Sequence, residues 1–410
     1  MTMLYKREKY LKKIRPFYES DDIIKVITGV RRCGKSSLMR MVADELLEKG
    51  IAGEDIIFLD LDSRGFRKIK TPDQLEELIE AKLVPGHFQY LFIDEIQNVA
   101  GFEEVINGFR TDGGISIFIT GSNSYLLSGE LVTKLTGRYL EFELFTLSFE
   151  EYIQMKQLYG KTVNPNTLVE LNQYILDGGF PRTITIDEQT AKRTYVTGVI
   201  NEIFEKDIKK RVKVRDAASF EAVRSFVIHS FGATTSVKSL TEGLRKNGAK
   251  ITRATVTRYI QALIDAKILY ECDRFDMKSK KALAGEKKYY LADLSFYYSA
   301  NTDNRINYGP VLENMIYIYS RSLDYSISVG RIGKLECDFI LRSPDNTYSY
   351  IQAAYTIMLS EETENREYKP LESIRDNYRK YVATTDYSLQ KRNGIDHINI
   401  MDFMIAEKRF

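Results

Sequence analysis

Cysteine, histidine and long apolar runs are scarce in this chain. Its 410 residues include three cysteines, Cys33, Cys272 and Cys337. They lie too far apart in sequence for a disulfide framework or a zinc-ligand spacing. A reducing cytoplasm is the expected setting. The three histidines, His87, His229 and His397, have no Cys or His neighbour at ligand spacing, which argues against a zinc enzyme. No run of about eighteen apolar residues occurs, so no membrane-spanning helix is predicted and no membrane partner is expected. Residues Met1 to Lys9 lack the apolar region of a secretory signal. The net charge is only +2. That excludes a polycation and confines any nucleic-acid surface to a local patch. Low-complexity linkers and internal repeats are absent too, so the domains should pack on one another. Hydrophobic content of 43% and charged content of 28% over 410 residues fit roughly two to four globular domains.

What is present starts with Gly29-Val30-Arg31-Arg32-Cys33-Gly34-Lys35-Ser36. This is the G-x-x-x-x-G-K-S phosphate-binding loop. The apolar run Ile23-Ile24-Lys25-Val26-Ile27 precedes it and reads as a buried parallel strand. Residues Ser37 to Leu47 follow and read as a helix with one apolar stripe. In that context backbone N–H groups and a helix N-terminus hold phosphate. Lys35 would reach the outer phosphates and Ser36 would ligate Mg²⁺. Residues Gly29, Arg31, Arg32, Cys33, Gly34, Lys35, Ser36 and Ser37 are the expected nucleotide cradle. Downstream, Tyr90-Leu91-Phe92-Ile93 ends in Asp94-Glu95, a Walker B pattern. Asp94 would hold Mg²⁺ through water, and Glu95 would orient the attacking water. Capping of the next element is the simpler use of the same two acids.

Further strands are predicted at Ile56–Leu61 and Ile115–Thr120, with a helix over Asp73–Leu83 between them and a doubly wound α/β arrangement over residues 1–150. The strand at Ile115 ends in Thr120-Gly121-Ser122-Asn123. Thr120 and Ser122 would sense the γ-phosphate, or simply form a polar turn. No Asn-Lys-x-Asp guanine motif occurs, which favours adenine.

Residues 150–215 read as helical and contain Gly178-Gly179-Phe180-Pro181-Arg182. This is either a tight helix connection or a turn over the nucleotide base. Residues 236–246 and 253–267 read as two helices, followed by strand-like runs at Ile268–Cys272 and Lys287–Leu291. That order is a winged-helix plan. Residues 237–291 hold 13 Lys plus Arg against 6 Asp plus Glu, a local balance of +7. Arg253, Thr255, Thr257 and Arg258 lie on the second helix. Lys278, Lys280, Lys281, Lys287 and Lys288 would belong to the wing. DNA phosphate is the expected partner, with Arg253, Arg258, Lys278, Lys280 and Lys281 as contacts. A protein-docking face is the competing use. Tyr289 and Tyr290 read as strand-packing residues. Residues 305–410 read as another α/β unit, with a helix over Val311–Leu323 and strands over Ile332–Leu341 and Tyr348–Tyr355.

Taken with Leu135-Thr136-Gly137-Arg138, Thr146 to Tyr152, Gly178-Gly179-Phe180-Pro181 and Leu335 to Ile340, these motifs span nearly the whole chain. The chain resembles prokaryotic AAA-type ATPases with a C-terminal domain related to restriction endonucleases. The resemblance implies an AAA/ASCE-type P-loop core over 1–150, a helical lid over 151–215 and a winged helix over 216–300. It also implies a restriction-endonuclease-like α/β domain over 301–410. It makes Arg138 the candidate arginine finger, supplied in trans within a homo-oligomer. It sets Gly179 and Pro181 near adenine and offers Arg182 as a second sensor. ATP and Mg²⁺ are the implied cofactors. Restriction-type nucleases use a helix Glu, a strand Asp and Glu-x-Lys on the next strand. Glu313 and Asp338 match, but Gln352-Ala353-Ala354 supplies neither the second carboxylate nor the lysine. The domain is therefore read as having lost cleavage. The expected function is a Mg²⁺-dependent ATPase coupled to DNA binding or remodelling. An ATP-dependent signalling switch acting on protein and an ATP-regulated nuclease are the alternatives.

Overall fold

The computed structural model describes residues 4–121, 135–209, 214, 216–301 and 305–410, including their side chains except that of residue 284. The chain divides into two compact units, Met1–Leu144 with Asp265–Lys267, and Phe145–Ile264 with Ile268–Phe410.

In the first unit, helices α1 (Glu8–Ile14), α2 (Lys35–Glu48), α3 (Pro72–Glu80) and α4 (Phe102–Asp112) alternate with strands. The strands are β1 (Ile24–Thr28), β2 (Ile56–Asp60), β3 (Gln89–Asp94), β4 (Ile115–Thr120) and β5 (Tyr139–Glu143). All pair in parallel in the order β2-β3-β4-β1-β5. Every residue of β1, β3 and β4 is buried. This explains their largely apolar sequences, since helices cover both faces of a parallel sheet. α3 starts where the sequence provides a reciprocal cap. Thr71 Oγ1 accepts from the Gln74 N–H, and Gln74 Oε1 accepts from the Thr71 N–H.

Lys25 is the exception inside β1. It is fully buried, yet among the described residues no carboxylate touches its ammonium. Nζ donates to Ser20 O at 2.5 Å, Ile23 O at 2.9 Å and Ser116 Oγ at 2.8 Å. It also sits 4.6 Å from the centre of the Phe118 ring. Burial pushes its pKa down to about 7, against the opposing pull of Asp22 and Asp21. A lysine whose folded pKa is depressed is protonated in the unfolded chain across a window where the folded chain is not. Stability should therefore rise from about pH 7 toward the ordinary lysine range near 10.4, with a slope of up to about 1.4 kcal/mol per pH unit. Urea unfolding at pH 7 and pH 9 tests this against Lys25→Met. The rise should be smaller in the variant by that slope, and equal rises would refute the assignment.

The second unit opens with helices α5 (Phe149–Leu158), α6 (Thr167–Asp177), α7 (Gln189–Ile203) and α8 (Ala217–His229). Strand β6 (Thr234–Thr235) precedes α9 (Val237–Lys246) and α10 (Arg253–Asp265). The hairpin β7 (Leu269–Asp276) and β8 (Lys281–Leu291) comes next, then α11 (Ser295–Ala300) and α12 (Tyr308–Ser322). Strands β9 (Ser326–Ile332), β10 (Leu335–Arg342) and β11 (Tyr348–Ala353) lead to α13 (Glu361–Glu372). β12 (Arg379–Thr384), β13 (Lys391–Arg392), β14 (Ile395–Asn399) and α14 (Ile400–Ile405) complete it. One nine-stranded sheet runs β13-β14-β12-β11-β10-β9-β7-β8-β6. β7 pairs with β9 in parallel, from Arg274↔Val329 to Asp276↔Arg331. The hairpin and residues 305–410 therefore share one sheet.

Three expectations need correction. The strand predicted over Ile332–Leu341 starts only at Leu335, because Ile332 ends β9 and Gly333 takes φ +66° to turn the chain. The lysine-rich connection is shorter than expected. β8 begins at Lys281, so only residues 277–280 form the turn. Lys288, expected on the wing surface, is 4% exposed and faces acids inside the unit. It cannot contact DNA from there.

Candidate functional site

The loop after β1 has the shape its sequence predicts. Gly29, Arg32 and Gly34 take φ of +143°, +71° and +110°. Gly34 caps α2 with no side-chain hydrogen bond, so no side chain competes for the first N–H groups of the helix. A methyl on Gly29 would stand 2.1 Å from Leu144 O. Gly29→Ala should destabilise the protein by at least about 1–3 kcal/mol and weaken ATP binding. Thermal unfolding and titration with a fluorescent ATP analogue check this, and an unchanged Tm would show that the loop yields cheaply.

Lys35 is 5% exposed. Its Nζ donates to Gly29 O at 3.0 Å and Val30 O at 3.3 Å. Ser36 and Ser37 open α2 half-buried, Arg31 is buried and Arg32 is exposed. Cys33 is fully buried beside Gly29, and burial pushes its thiol pKa up. It packs the loop from beneath and is no nucleophile.

The strand order brings the second half of the site to this loop. β4 lies between β1 and β3, with Ile27 opposite Thr120 and Ile93 opposite Ile119. Thr120 therefore stands between the loop and the Walker B acids. Its hydroxyl donates to Asp94 Oδ1 and accepts from the Glu95 N–H at 3.1 Å. Glu95 holds φ +56°, a left-handed conformation uncommon outside glycine. Gln97 Nε2 donates to the Glu95 carboxylate. Sequence reading gave Gln97 no role. Its only signal was a polar side chain two residues after the acid. Ser122 lies outside the described residues.

Arg138 is exposed, with Nη1 donating to Asn107 Oδ1 at 3.2 Å. Its carbonyl accepts from the Ile24 N–H at 2.9 Å, at the start of β1. The phosphate loop follows the other end of β1. Five strand residues at about 3.3 Å each separate the two levels by about 16 Å, further than an arginine side chain extends. Arg138 cannot serve the loop of its own chain.

Asn107 and Arg138 thus meet at the rim opposite the phosphate loop, and a second network missed by sequence reasoning anchors the N-terminal segment to α2. Arg15 Nη2 and Nε donate to Glu45 at 2.7 and 2.9 Å, and Tyr18 OH donates to the same carboxylate at 2.9 Å. The Arg15 guanidinium, through its hydrogen bonds, holds the Glu45 pKa below the usual range.

In the second unit, Gly178 and Gly179 have a packing reason of their own. Methyl groups there would stand 2.1 Å from Asp293 Oδ1 and 2.4 Å from Leu147 O. Buried Asp293 accepts from the Gly179 N–H at 2.8 Å, and burial raises its pKa. Pro181 is half-buried and Arg182 exposed.

Arg253, Thr257 and Arg258 are exposed on α10, as are Lys278, Lys280 and Lys281 at the hairpin tip. Lys287 pairs with Glu271, and also with Asp273 at 3.5 Å. Tyr289 and Tyr290 are buried. Lys288 Nζ lies 2.9 Å from Glu313 Oε2 and 3.0 Å from Glu336 Oε1. Tyr290 OH donates to Glu313 at 3.0 Å. Asp338 accepts from the Ala353 N–H at 2.8 Å. Burial, then the charge of Glu313, hold the Asp338 pKa well above the usual carboxylate range. Burial lowers the Lys288 pKa, but Glu313, Asp338 and Glu336 outweigh it and hold its ammonium above the ordinary range. The missing lysine of β11 thus has an ammonium nearby, from β8. Among the described residues, no group of three or more His, Cys, Asp or Glu is placed to hold a metal.

Residues 21–153 match a family model described as an AAA domain. This segment of the chain is an AAA-type P-loop domain. Residues 168–305 match a domain of unknown function (DUF8612). An uncharacterized protein of Haemophilus influenzae is 33% identical over 402 residues, 97% of this chain and 98% of that protein. These two chains belong to one family over their whole length. Uncharacterized protein MJ1544 of Methanocaldococcus jannaschii is 29% identical over 363 residues, 86% of this chain and 79% of that protein. Among solved structures, the Walker-type ATPase PABY2304 of Pyrococcus abyssi is similar in fold, with a TM-score of 0.51 and 15% identity. The likeness covers 72% of this chain and 95% of that one. No helix among the described residues is long and apolar enough to cross a membrane.

The AAA-type core fits ATP with Mg²⁺. It offers an uncapped helix N-terminus, a lysine resting on loop carbonyls, and one hydroxyl and one carboxylate for the cation. With no acidic cluster for metal among the described residues, phosphate oxygens and water would complete the shell.

Proposed function

We propose that this protein is a Mg²⁺-dependent ATPase whose nucleotide cycle is coupled to DNA. The observation that carries the hydrolytic reading is the position of Thr120. Its hydroxyl touches both the Asp94 carboxylate and the Glu95 amide. One side chain thereby joins the metal-holding acid to the water-orienting one, at the level of the phosphate loop. A change at the γ-phosphate would reach the Walker B strand through this hydroxyl.

Gly29 to Ser37 bind the phosphates, with Lys35 leaving its loop carbonyls for phosphate oxygen. Ser36 and Asp94 hold the cation. Bound Mg²⁺ would neutralise charge developing on the transferred phosphoryl group. Glu95 orients water, and Thr120, with Ser122, senses the γ-phosphate. Arg138 acts on a neighbouring copy. The exposed cations of α10 and the β7–β8 tip, read as recognition helix and wing, meet DNA phosphate. Residues 301–410, read as restriction-endonuclease-like, act without cleavage, because Gln352 supplies no second carboxylate for a metal and Lys288 already pairs with Glu313 and Glu336.

Steady-state ATP hydrolysis with duplex, single-stranded and branched DNA tests this reading. Turnover stimulated by one DNA form is the expected result. ATP binding without turnover would overturn the hydrolytic reading in favour of a nucleotide switch. Turnover indifferent to every DNA would overturn the coupling.

A further inference from the structure

We infer that the duplex-DNA surface is built from two hairpin tips, with Arg331 and Lys334 of the β9–β10 tip joining Lys278, Lys280 and Lys281 of the β7–β8 tip. This rests on the DNA reading above and extends it to residues that lie 50 or more positions further along the chain. The parallel pairing of β7 with β9 brings Asp276 opposite Arg331, so both hairpins turn at the same edge of the sheet. The Met277 N–H donates to Arg331 O at 2.9 Å, just past the end of the pairing. Lys278 also reaches across to the β9–β10 turn. A methyl on Gly333 would stand 3.2 Å from Lys278 Nζ.

Both tips are held rigidly. Asp276 Oδ1 accepts from the N–H groups of Lys278 and Ser279, each at 2.9 Å. Lys280 takes φ +55° and Gly333 φ +66° to close the two turns. Arg331 Nε donates to Gly333 O at 3.2 Å, which fixes the guanidinium over its own turn. Met277, Phe275 and Ile332 pack against the core around Cys337 and Tyr350. The five cations are nonetheless exposed. Their amines and guanidinium thus project from an ordered base, which lowers the entropic cost of binding.

These residues sit at one end of four adjacent strands, β8, β7, β9 and β10, with Lys281 on β8, Arg331 on β9, and Lys278, Lys280 and Lys334 in the two turns. At about 4.8 Å between neighbours the strands span about 14 Å. That is the length of about four phosphates along one strand of a duplex, at about 3.4 Å of helix axis each. A polyanion with regularly spaced charges fits such a row. Asp276 is the acid at the centre, and it is spent on backbone N–H groups and Arg331.

The test is fluorescence anisotropy of the full chain with a labelled duplex, as a function of salt. The variants are Arg331→Glu with Lys334→Glu, Arg331→Lys, and a wing triple of Lys278→Glu, Lys280→Glu and Lys281→Glu. Thermal unfolding of each confirms that it folds. The Arg331→Glu, Lys334→Glu pair should bind at least about tenfold more weakly. Its log-log salt slope should fall by about 1.8 if two phosphate contacts are lost. Arg331→Lys keeps the charge and should bind like wild type. Loss in the wing triple with wild-type binding by the Arg331→Glu, Lys334→Glu pair would overturn the two-hairpin surface and leave the DNA reading standing. Wild-type binding by both would overturn this surface altogether. A wild-type protein that ignores duplex DNA at low salt would overturn the DNA reading and this inference with it.

Discussion

Arg138→Ala should lower ATP turnover by about 10³–10⁵-fold, the range that an arginine finger contributes to phosphoryl transfer. The physical reason is charge. The transition state spreads negative charge over phosphoryl oxygens, and a guanidinium placed there stabilises it directly. Arg138 stands at the β1 end remote from the phosphate loop, where its carbonyl receives the Ile24 N–H. A finger in that position can reach only a second copy's nucleotide. Mixing Arg138→Ala with Glu95→Gln protein should therefore restore part of the turnover. An active site assembled from the intact Glu95 of one copy and the intact Arg138 of another would be whole. ATP affinity of the Arg138→Ala variant should stay near wild type, because Arg138 bonds Asn107, Ile24 and Leu135, away from the loop. Full activity in the single variant, or no recovery on mixing, would exclude the finger.

Glu95→Gln should reduce kcat by about 10²–10⁴-fold, the range for loss of a positioned general base, while ATP still binds. The substitution keeps size and removes charge. Glu95 sits half-buried, at φ +56°, with its amide on Thr120 and its carboxylate facing Gln97. Its backbone is therefore set by neighbours that the variant retains. A loss of kcat with an unchanged Kd for ATP would assign Glu95 to the chemical step. Equal losses in binding and turnover would assign it to loop architecture instead, and wild-type turnover would remove it from the site.

Much of the first unit was legible because its signals are local. A strand buried on both faces needs a mostly apolar run, so Ile24 to Thr28, Gln89 to Asp94 and Ile115 to Thr120 announce themselves. A phosphate loop needs backbone conformations that favour glycine at fixed offsets, so Gly29 and Gly34 announce it too. The composition of residues 237–291 showed a basic surface. It could not show which lysines point outward, because β8 alternates its side chains between faces. Lys287 and Lys288 are neighbours in sequence with opposite fates.

Residue type and spacing alone thus determined the nucleotide loop, the Walker B acids and the helix and strand order of the AAA-type core. Only the tertiary structure decided what those parts meet. Long-range strand pairing put β4 between β1 and β3, which delivered Thr120 to Asp94 and Glu95. It put Arg138 at the far end of β1 and Lys288 between Glu313 and Glu336. It joined β7 to β9, so that cations 50 or more residues apart share one edge. Apolar periodicity specifies which face of a strand is buried, but not which strand lies beside it. That choice belongs to the packing of the whole sheet.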